Sequence, residues 1–221
     1  MAFDLCPPAL IDKVLAETFD LPLADLSFQK IRHRFYVRSR LPEVNEVIEF
    51  HRDRLDLNFT WGLSLNFVPH ITEGVENVRW HRTQKSARRD LSLSGFGKSP
   101  QLGWSVGTTQ GEAFLRRSAE LTRTEMLPKA LAFFASIRSL RDLLPKFREA
   151  AQPNDWGWTL KMQPQLHLAY AFYLAKQGQA QEAEKMMSDW LTRNLDFLRP
   201  ETLERISDLF KQATDSPFVL Q

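Results

Sequence analysis

The chain has 221 residues, of which 43% are hydrophobic and 25% charged, a composition typical of a folded globular protein that argues against disorder. The net charge of +2 is too small to indicate a polyanionic partner, so any such partner has to be argued from local clusters. One cysteine cannot form an internal disulfide, and no apolar run approaches about 18 residues. We therefore expect a cytoplasmic, non-secreted protein with no membrane partner.

The first predicted element is a short helix. Pro7 and Pro8 suit a helix start, and Leu21-Pro22 is expected to end the helix. Its apolar residues recur at helical spacing: Leu10, Ile11, Val14, Leu15 and Phe19.

The next segment, Lys30–Arg38, alternates basic with apolar residues over much of its length. Side chains of a strand alternate between faces, so this pattern predicts one strand with a basic face exposed to water. Ile31, Phe35 and Val37 would form its buried face, and Arg32, Arg34 and Tyr36 its polar face.

Further strands are predicted along the chain. Val44–Asp53 has Ile48 and Phe50 on one face, and Phe59–Phe67 shows the clearest alternation in the sequence. Weaker strand patterns occupy Val75–Thr83, Arg89–Gly95 and Leu102–Val106. Short connections between consecutive strands favour an antiparallel meander of five or six strands.

Helical periodicity replaces alternation after this point. Thr109-Gln110-Gly111-Glu112 has the form of a capping box, and an apolar stripe continues to Pro128 and then in further helical segments to about Pro145. Residues from about Pro164 are predicted to be helical, with Gly178 at a helix C-terminus.

These patterns predict an α+β fold, an antiparallel meander sheet flanked by helices, with a C-terminal helical hairpin or three-helix appendage. The predicted division is a meander domain at 1–151 and a helical appendage at 152–221 that packs on it. The stretch Phe28–Leu144 resembles a family of bacterial α+β domains of unknown function, through Phe35-Tyr36, Val47–Phe50, Trp61-Gly62-Leu63, Leu127-Pro128, Phe133-Phe134 and Leu140–Leu144. That resemblance implies an α+β meander between helices and carries no activity, cofactor or catalytic residue.

Two segments imitate catalytic motifs. His51–Asn58 matches the kinase catalytic-loop pattern, but the other kinase motifs are missing. Ser92–Ser99 ends like a P-loop, but a helix-forming segment does not follow it. The histidines and the cysteine show no metal-site spacing, so no cofactor and no metal is predicted.

The basic residues are the strongest candidates for a site. Besides Arg32, Arg34 and Tyr36, they include a second cluster around Arg79, Trp80, Arg88 and Arg89. Arginines among aromatic residues suit single-stranded nucleic acid. An antiparallel register with Arg34 opposite Glu49, Lys30 opposite Asp53 and Arg32 opposite His51 would instead neutralise much of the basic strand.

The absence of catalytic motifs favours a non-catalytic interaction domain of the bacterial cytosol, one that binds another protein and is of the immunity type or a similar class. Binding of single-stranded nucleic acid or another polyanion through the basic strand is the alternative. An enzyme whose site assembles from distant residues also stays open. A pocket on the polar face of the sheet would be the most informative observation.

Overall fold

A computed structural model describes residues 5–53, 56–71, 78–79, 85, 87–92, 105–106, 108, 110–151 and 164–218. These residues form an α+β fold whose antiparallel sheet is flanked by helices, as the sequence predicts. The strands are β1 (Gln29–Arg32), β2 (Phe35–Leu41), β3 (Val44–Asp53), β4 (Asp56–Leu65), β5 (His70–Ile71), β6 (Val78–Arg79), β7 (Leu91–Ser92) and β8 (Ser105–Val106). The α-helices are α1 (Pro8–Leu15), α2 (Leu21–Asp25), α3 (Gly111–Leu121), α4 (Leu127–Ala135), α5 (Leu143–Ala151), α6 (Pro164–Lys176), α7 (Ala180–Asn194) and α8 (Pro200–Asp215).

Helical turns continue past Pro22, where the first helix was expected to end, and also past Pro128. A π-helical segment, Ala16–Asp20, joins α1 to α2, and another, Thr122–Met126, joins α3 to α4. Pro22 and Pro128 lie in the first turn after these segments. The predicted end at Leu21-Pro22 is therefore wrong. α3 begins after Gln110, which makes no side-chain cap, and the predicted capping box involves Thr109, which lies outside the described residues.

The predicted basic strand is a hairpin. β1 and β2 pair antiparallel, with Arg32 opposite Phe35, so the chain reverses at His33 and Arg34. Arg34 takes a positive φ of 56°, which lets two residues make the turn. Arg32 and Arg34 consequently do not share the face of one strand.

The central strand pairing sets two faces of the sheet. Tyr36 pairs with Ile48 and Ile48 with Trp61, so these residues lie on one face, which we name the first face. Phe35 pairs with Glu49 on the opposite, second face. The register differs by one residue from the predicted Arg34–Glu49 pairing, and a shift of one residue exchanges the faces. Tyr36 is thus on the main-core face and Phe35 on the other, contrary to the prediction.

The first face carries the main core. Phe19 of the N-terminal helical segment packs edge-on against Phe50 with ring centroids 4.6 Å apart, and Phe50 packs against Phe59 at 5.3 Å. The predicted alternation of β4 is confirmed, because Phe59, Trp61, Leu63 and Leu65 are all buried. This hydrophobic cluster also includes residues of α3 to α8.

The edge of β4 pairs with two short strands. β7 pairs near Leu63 and β8 near Leu57, so the described part of the sheet has six antiparallel strands. β5 and β6 form a separate two-stranded ladder. Of these four two-residue strands, β6, β7 and β8 fall within the segments that the sequence predicts as weak strands, and β5 does not.

The C-terminal helices belong to the same hydrophobic cluster as the sheet. Each residue of α6 from Leu166 to Ala175 is buried, so this helix is enclosed on all sides. The Phe147 ring of α5 stacks on Tyr170 of α6 at 5.1 Å. The division at 151/152 stays a prediction, since 152–163 lie outside the described residues. Among the described helices, none has the length and apolarity needed to cross a bilayer.

Candidate functional site

A pocket of about 670 Å³ lies on the second face of the sheet, where a polar groove was considered in the sequence. The sheet contributes Phe35, Glu49 and His51, and the hairpin contributes Arg32. The other described lining residues come from β5, from the segment before β7, from α6 and α7, and from the turn after α7: His70, Arg88, Arg89, Pro164, Gln165, Trp190, Asn194 and Leu198. The volume lies within the range of small-molecule sites.

The segment Ala87–Asp90 forms one wall and is fixed to β4. Ala87 is buried with Phe35, Val37 and Val47 in a small second hydrophobic cluster. The Arg88 backbone N–H donates to Ser64 Oγ at 3.1 Å, and the Asp90 N–H donates to the Leu63 carbonyl at 2.7 Å. Both arginines of this wall therefore project from an ordered backbone.

Asp90 joins this wall to the C-terminal helices. Its buried carboxylate accepts hydrogen bonds from the Leu65 N–H at 2.8 Å and from Gln165 Nε2 at 2.7 Å. Gln165 lies at the start of α6 and lines the pocket. Sequence reasoning missed both residues, because neither belongs to a motif and their contact spans 75 positions.

Arg32 lies half-buried at the floor of the pocket. Its guanidinium carbon is 3.7 Å from the centroid of the Phe35 ring, and its Nη2 is 3.4 Å from the Ala87 carbonyl oxygen. Burial is the main cause that lowers the pKa of Arg32, followed by the positive charge of Arg88. Glu49 opposes this effect and Arg89 adds to it, so the three guanidinium groups interact electrostatically.

Arg88 and Arg89 differ in their polar partners. Arg89 Nε lies 2.9 Å from Glu49 Oε2, which makes an ion pair across the pocket. Arg88 Nε donates to His70 Nε2 at 3.2 Å, and this geometry requires an unprotonated Nε2 and a neutral imidazole.

The helical wall is also held by hydrogen bonds. Trp190 Nε1 donates to the Pro164 carbonyl at 2.8 Å and ties α7 to the start of α6. Asn194 Nδ2 donates to the Trp190 carbonyl at 2.7 Å. Leu198 follows in the turn between α7 and α8 and gives this wall an apolar end.

The described lining side chains are electropositive as a set. Three guanidinium groups face one carboxylate, a net of two positive charges when His51 and His70 are neutral. No group of three metal-ligating side chains occurs among the residues that the structure describes. The site can therefore hold an anion through forked N–H donors.

The structure brings together three of the seven predicted site residues, Arg32, Arg88 and Arg89. Arg34 instead pairs with Asp12 at 2.7 Å, and the buried Tyr36 hydroxyl donates to Asp20 at 2.6 Å on the first face. These two residues do not belong to the pocket, which corrects their assignment to one polar face.

The other two predicted site residues are only partly placed. The Arg79 backbone pairs with His70, which lines the pocket. The Arg79 side chain and Trp80 lie outside the described part of the chain.

Acidic residues neutralise most of the basic hairpin, as the sequence predicts. Most of the carboxylates involved differ from those of the predicted cross-strand register. Lys30 pairs with Asp20 at 2.9 Å, and Arg38 donates to Glu46 at 2.6 Å. Arg40 also pairs with Glu46. The predicted pairs of Arg34 with Glu49 and Arg32 with His51 are wrong, because the chain reverses at residues 33 and 34.

The kinase-like segment is not a catalytic loop. His51 lies in β3 and pairs with Asn58 in β4, so the segment spans an antiparallel hairpin. Of the P-loop-like segment, Ser92 lies in β7, and 93–99 lie outside the described residues.

Comparisons with protein families, curated proteins and solved structures found no match to this chain. The resemblance of Phe28–Leu144 to a bacterial domain family therefore stays a prediction. The case for a function comes from the pocket alone.

Proposed function

We propose that this protein is a binding module whose pocket holds an anionic group of the phosphate class. The observation that carries the proposal is the convergence of Arg32, Arg88 and Arg89 on one concave site with Glu49 as the single carboxylate among its described lining residues. Guanidinium groups bind phosphate oxygens through paired N–H donors, and such charge-assisted bonds are stronger than neutral ones.

Electrostatics supports an anion as the ligand of this pocket. Like charges held close together in a partly desolvated site raise the free energy of the folded protein. The lowered pKa of Arg32, caused by burial and then by Arg88, reflects this cost. An anion between the guanidinium groups would remove the repulsion, and its binding would stabilise the folded state.

The charge distribution favours one anionic group over a long polyanion. Lys30, Arg34, Arg38 and Arg40 each have an acidic partner, so the described part of the hairpin offers no continuous basic track. Single-stranded nucleic acid requires such a track along its backbone. Glu49, the carboxylate of the pocket, is paired with Arg89, which favours binding over carboxylate-based acid–base catalysis.

Titration with inorganic phosphate tests this proposal, with sodium chloride at equal ionic strength as the salt control. We expect phosphate to raise the melting temperature and to bind measurably by calorimetry. Arg32→Gln and Arg88→Gln should each weaken binding by about 10- to 100-fold, the effect of losing a charge-assisted hydrogen bond of about 1.5–3 kcal/mol. Arg117→Gln is the matched control, because Arg117 is exposed on α3 and lies outside the pocket lining.

The same variants separate a binding site from a structural one. Without phosphate, Arg88→Gln should leave the free energy of unfolding nearly unchanged, because it removes the electrostatic repulsion of Arg32 together with one exposed hydrogen bond to His70. Equal phosphate affinity in the wild type, Arg32→Gln and Arg88→Gln, or no binding to the wild type, would contradict the proposal.

A further inference from the structure

An exposed apolar turn borders the pocket. Leu195 and Phe197, between α7 and α8, are 59% and 82% exposed, and Leu198 directly follows Phe197 in the same turn. Leu198 lines the pocket itself, so the turn that carries the two exposed side chains ends at the pocket wall. Side chains of this size contribute to stability when buried, and two of them exposed in one turn point to an interaction surface.

The turn is held in place against the pocket wall. The N–H groups of Phe197 and Leu198 both donate to the Asn194 carbonyl at 3.1 Å. Asn194 in turn lines the pocket and bonds to the Trp190 carbonyl. A partner would therefore meet a surface that is formed before binding, which lowers the entropic cost of association.

We propose that this surface docks a phosphorylated protein segment, whose phosphate enters the arginine pocket and whose neighbouring apolar side chain packs on Leu195 and Phe197. This proposal rests on the proposed function and names its partner. The net of two positive charges in the described lining matches a phosphoserine or phosphothreonine dianion better than a single carboxylate.

The surroundings of the turn favour a protein over a polyanion or a membrane. Asp196 lies between Leu195 and Phe197 in the chain and adds a negative charge to this turn, which would repel the next phosphate of a nucleic acid. Arg193 beside the turn is paired with Asp189 at 3.1 Å. Binding to anionic lipids relies on clusters of about four or more basic residues. The described residues of this turn do not form such a cluster.

The test uses fluorescent peptide libraries with a fixed central phosphoserine and randomised flanking positions. Matched libraries carry glutamate or serine at the centre. Two further probes are a 5′-phosphorylated oligothymidylate and phosphatidylserine vesicles. The decisive variant is Leu195→Ser with Phe197→Ser, and its matched control replaces an exposed leucine and an exposed phenylalanine elsewhere, Leu21→Ser with Phe114→Ser.

We expect the phosphoserine library to bind at least tenfold more tightly than the glutamate library and to select apolar residues near the phosphate. The turn variant should lose tenfold or more in peptide affinity, about 1.4 kcal/mol, and keep its affinity for inorganic phosphate. The control variant should keep both.

Other outcomes would overturn the proposal. In one such outcome, phosphate binds but the turn variant selects the same peptides as the wild type. In another, the oligonucleotide or the vesicles bind more tightly than the phosphoserine library. Either result would show that the partner is wrongly assigned, while the anion site would remain supported. If inorganic phosphate itself does not bind the wild type, the proposed function fails and this proposal fails with it.

Discussion

The arginines Arg34, Arg38 and Arg40 of the hairpin differ from Arg32 and Arg88 of the pocket in their partners. Arg34, Arg38 and Arg40 each contact a carboxylate and bind the hairpin to the N-terminal helix or to β3. Arg32 and Arg88 instead contact an aromatic ring and an imidazole, respectively. Cations without a carboxylate partner are costly to gather in one site, so they indicate where an external anion is expected.

Tyr36 allows a prediction about alkaline stability. Burial, followed by its hydrogen bond to Asp20, raises the pKa of Tyr36 well above the ordinary value of about 10. The unfolded chain therefore loses this proton first as the pH rises, and stability falls above about pH 10 by up to roughly 1.4 kcal/mol per pH unit. We expect Tyr36→Phe to cost about 1–2 kcal/mol at pH 7 and to flatten this decline.

Urea unfolding of both proteins at pH 7, 10 and 11 measures the difference. Burial also raises the pKa of Tyr173 to about 12, so part of the decline should remain in the variant. Parallel curves for the two proteins between pH 10 and 11 would contradict the proposed role of Tyr36.

At the scale of elements, the two π-helical segments explain how prolines are tolerated within the continuous helical stretches α1–α2 and α3–α4. Proline in an α-helix loses one hydrogen bond and its ring clashes with the carbonyl four residues earlier. The wider turns of Ala16–Asp20 and Thr122–Met126 precede Pro22 and Pro128 and relieve this clash. Thr18 and Thr122 each donate a hydroxyl bond to the carbonyl four residues earlier, at 2.7 and 2.8 Å.

The turn from α6 to α7 depends on Gly178, which has a φ of +73°. Gln179 N–H donates to the Leu174 carbonyl and Gly178 N–H to the Ala175 carbonyl, the pattern of a Schellman motif. A Cβ at Gly178 would meet no atom within 4 Å, so only backbone strain opposes a substitution. We expect Gly178→Ala to cost about 1–2 kcal/mol and Gly178→Asn less.

Chemical denaturation of both variants provides the measurement, with Gln179→Ala as the neighbouring control. The control should change the free energy of unfolding by less than about 0.5 kcal/mol. A Gly178→Ala protein as stable as the wild type would show that this turn adopts another conformation.

The strands with one buried face could be predicted from the sequence, whereas the hairpin could not. β3 spans Val44–Asp53 as predicted, and the apolar residues of β4 all face the core. The turn at His33 and Arg34 contains no glycine, asparagine or aspartate. The alternation of polar and apolar residues therefore continues through the turn, and the whole segment looks like one strand in the sequence. Arg34, the residue with the positive φ, forms an ion pair with Asp12 of α1, which lies 22 positions earlier in the chain. This contact exists only once the helix has packed on the hairpin.

The candidate site could be predicted only in part for a related reason. Charge clustering in the sequence identified Arg32, Arg88 and Arg89, because long cationic side chains stand out in any context. It could not separate them from Arg34, whose partner lies on a different element. Asp90 and Gln165 complete the pocket walls through a contact that only the fold creates.

At the scale of the whole molecule, α6 is the element that connects the parts. It contacts α5 through Phe147 and Tyr170, α8 through Phe172 and Phe210, and the sheet edge through Gln165 and Asp90. A helix buried on every side cannot be removed without exposing the surfaces that enclose it. The pocket depends on the same arrangement, since one of its walls begins at Pro164.

The last prediction follows from this packing. A protease recognition site inserted between Ala151 and Pro164 provides the test, with cleavage carried out under native conditions. We expect the two fragments to stay associated in gel filtration and to keep phosphate affinity within about threefold, because each large buried side chain of α6 contributes roughly 1.5–3 kcal/mol to their contact. The N-terminal fragment expressed alone should aggregate or unfold. Separation of the fragments into two folded, soluble proteins would show that the C-terminal helices form an independent unit. Phosphate binding by the N-terminal fragment alone would show that the pocket does not need its helical wall.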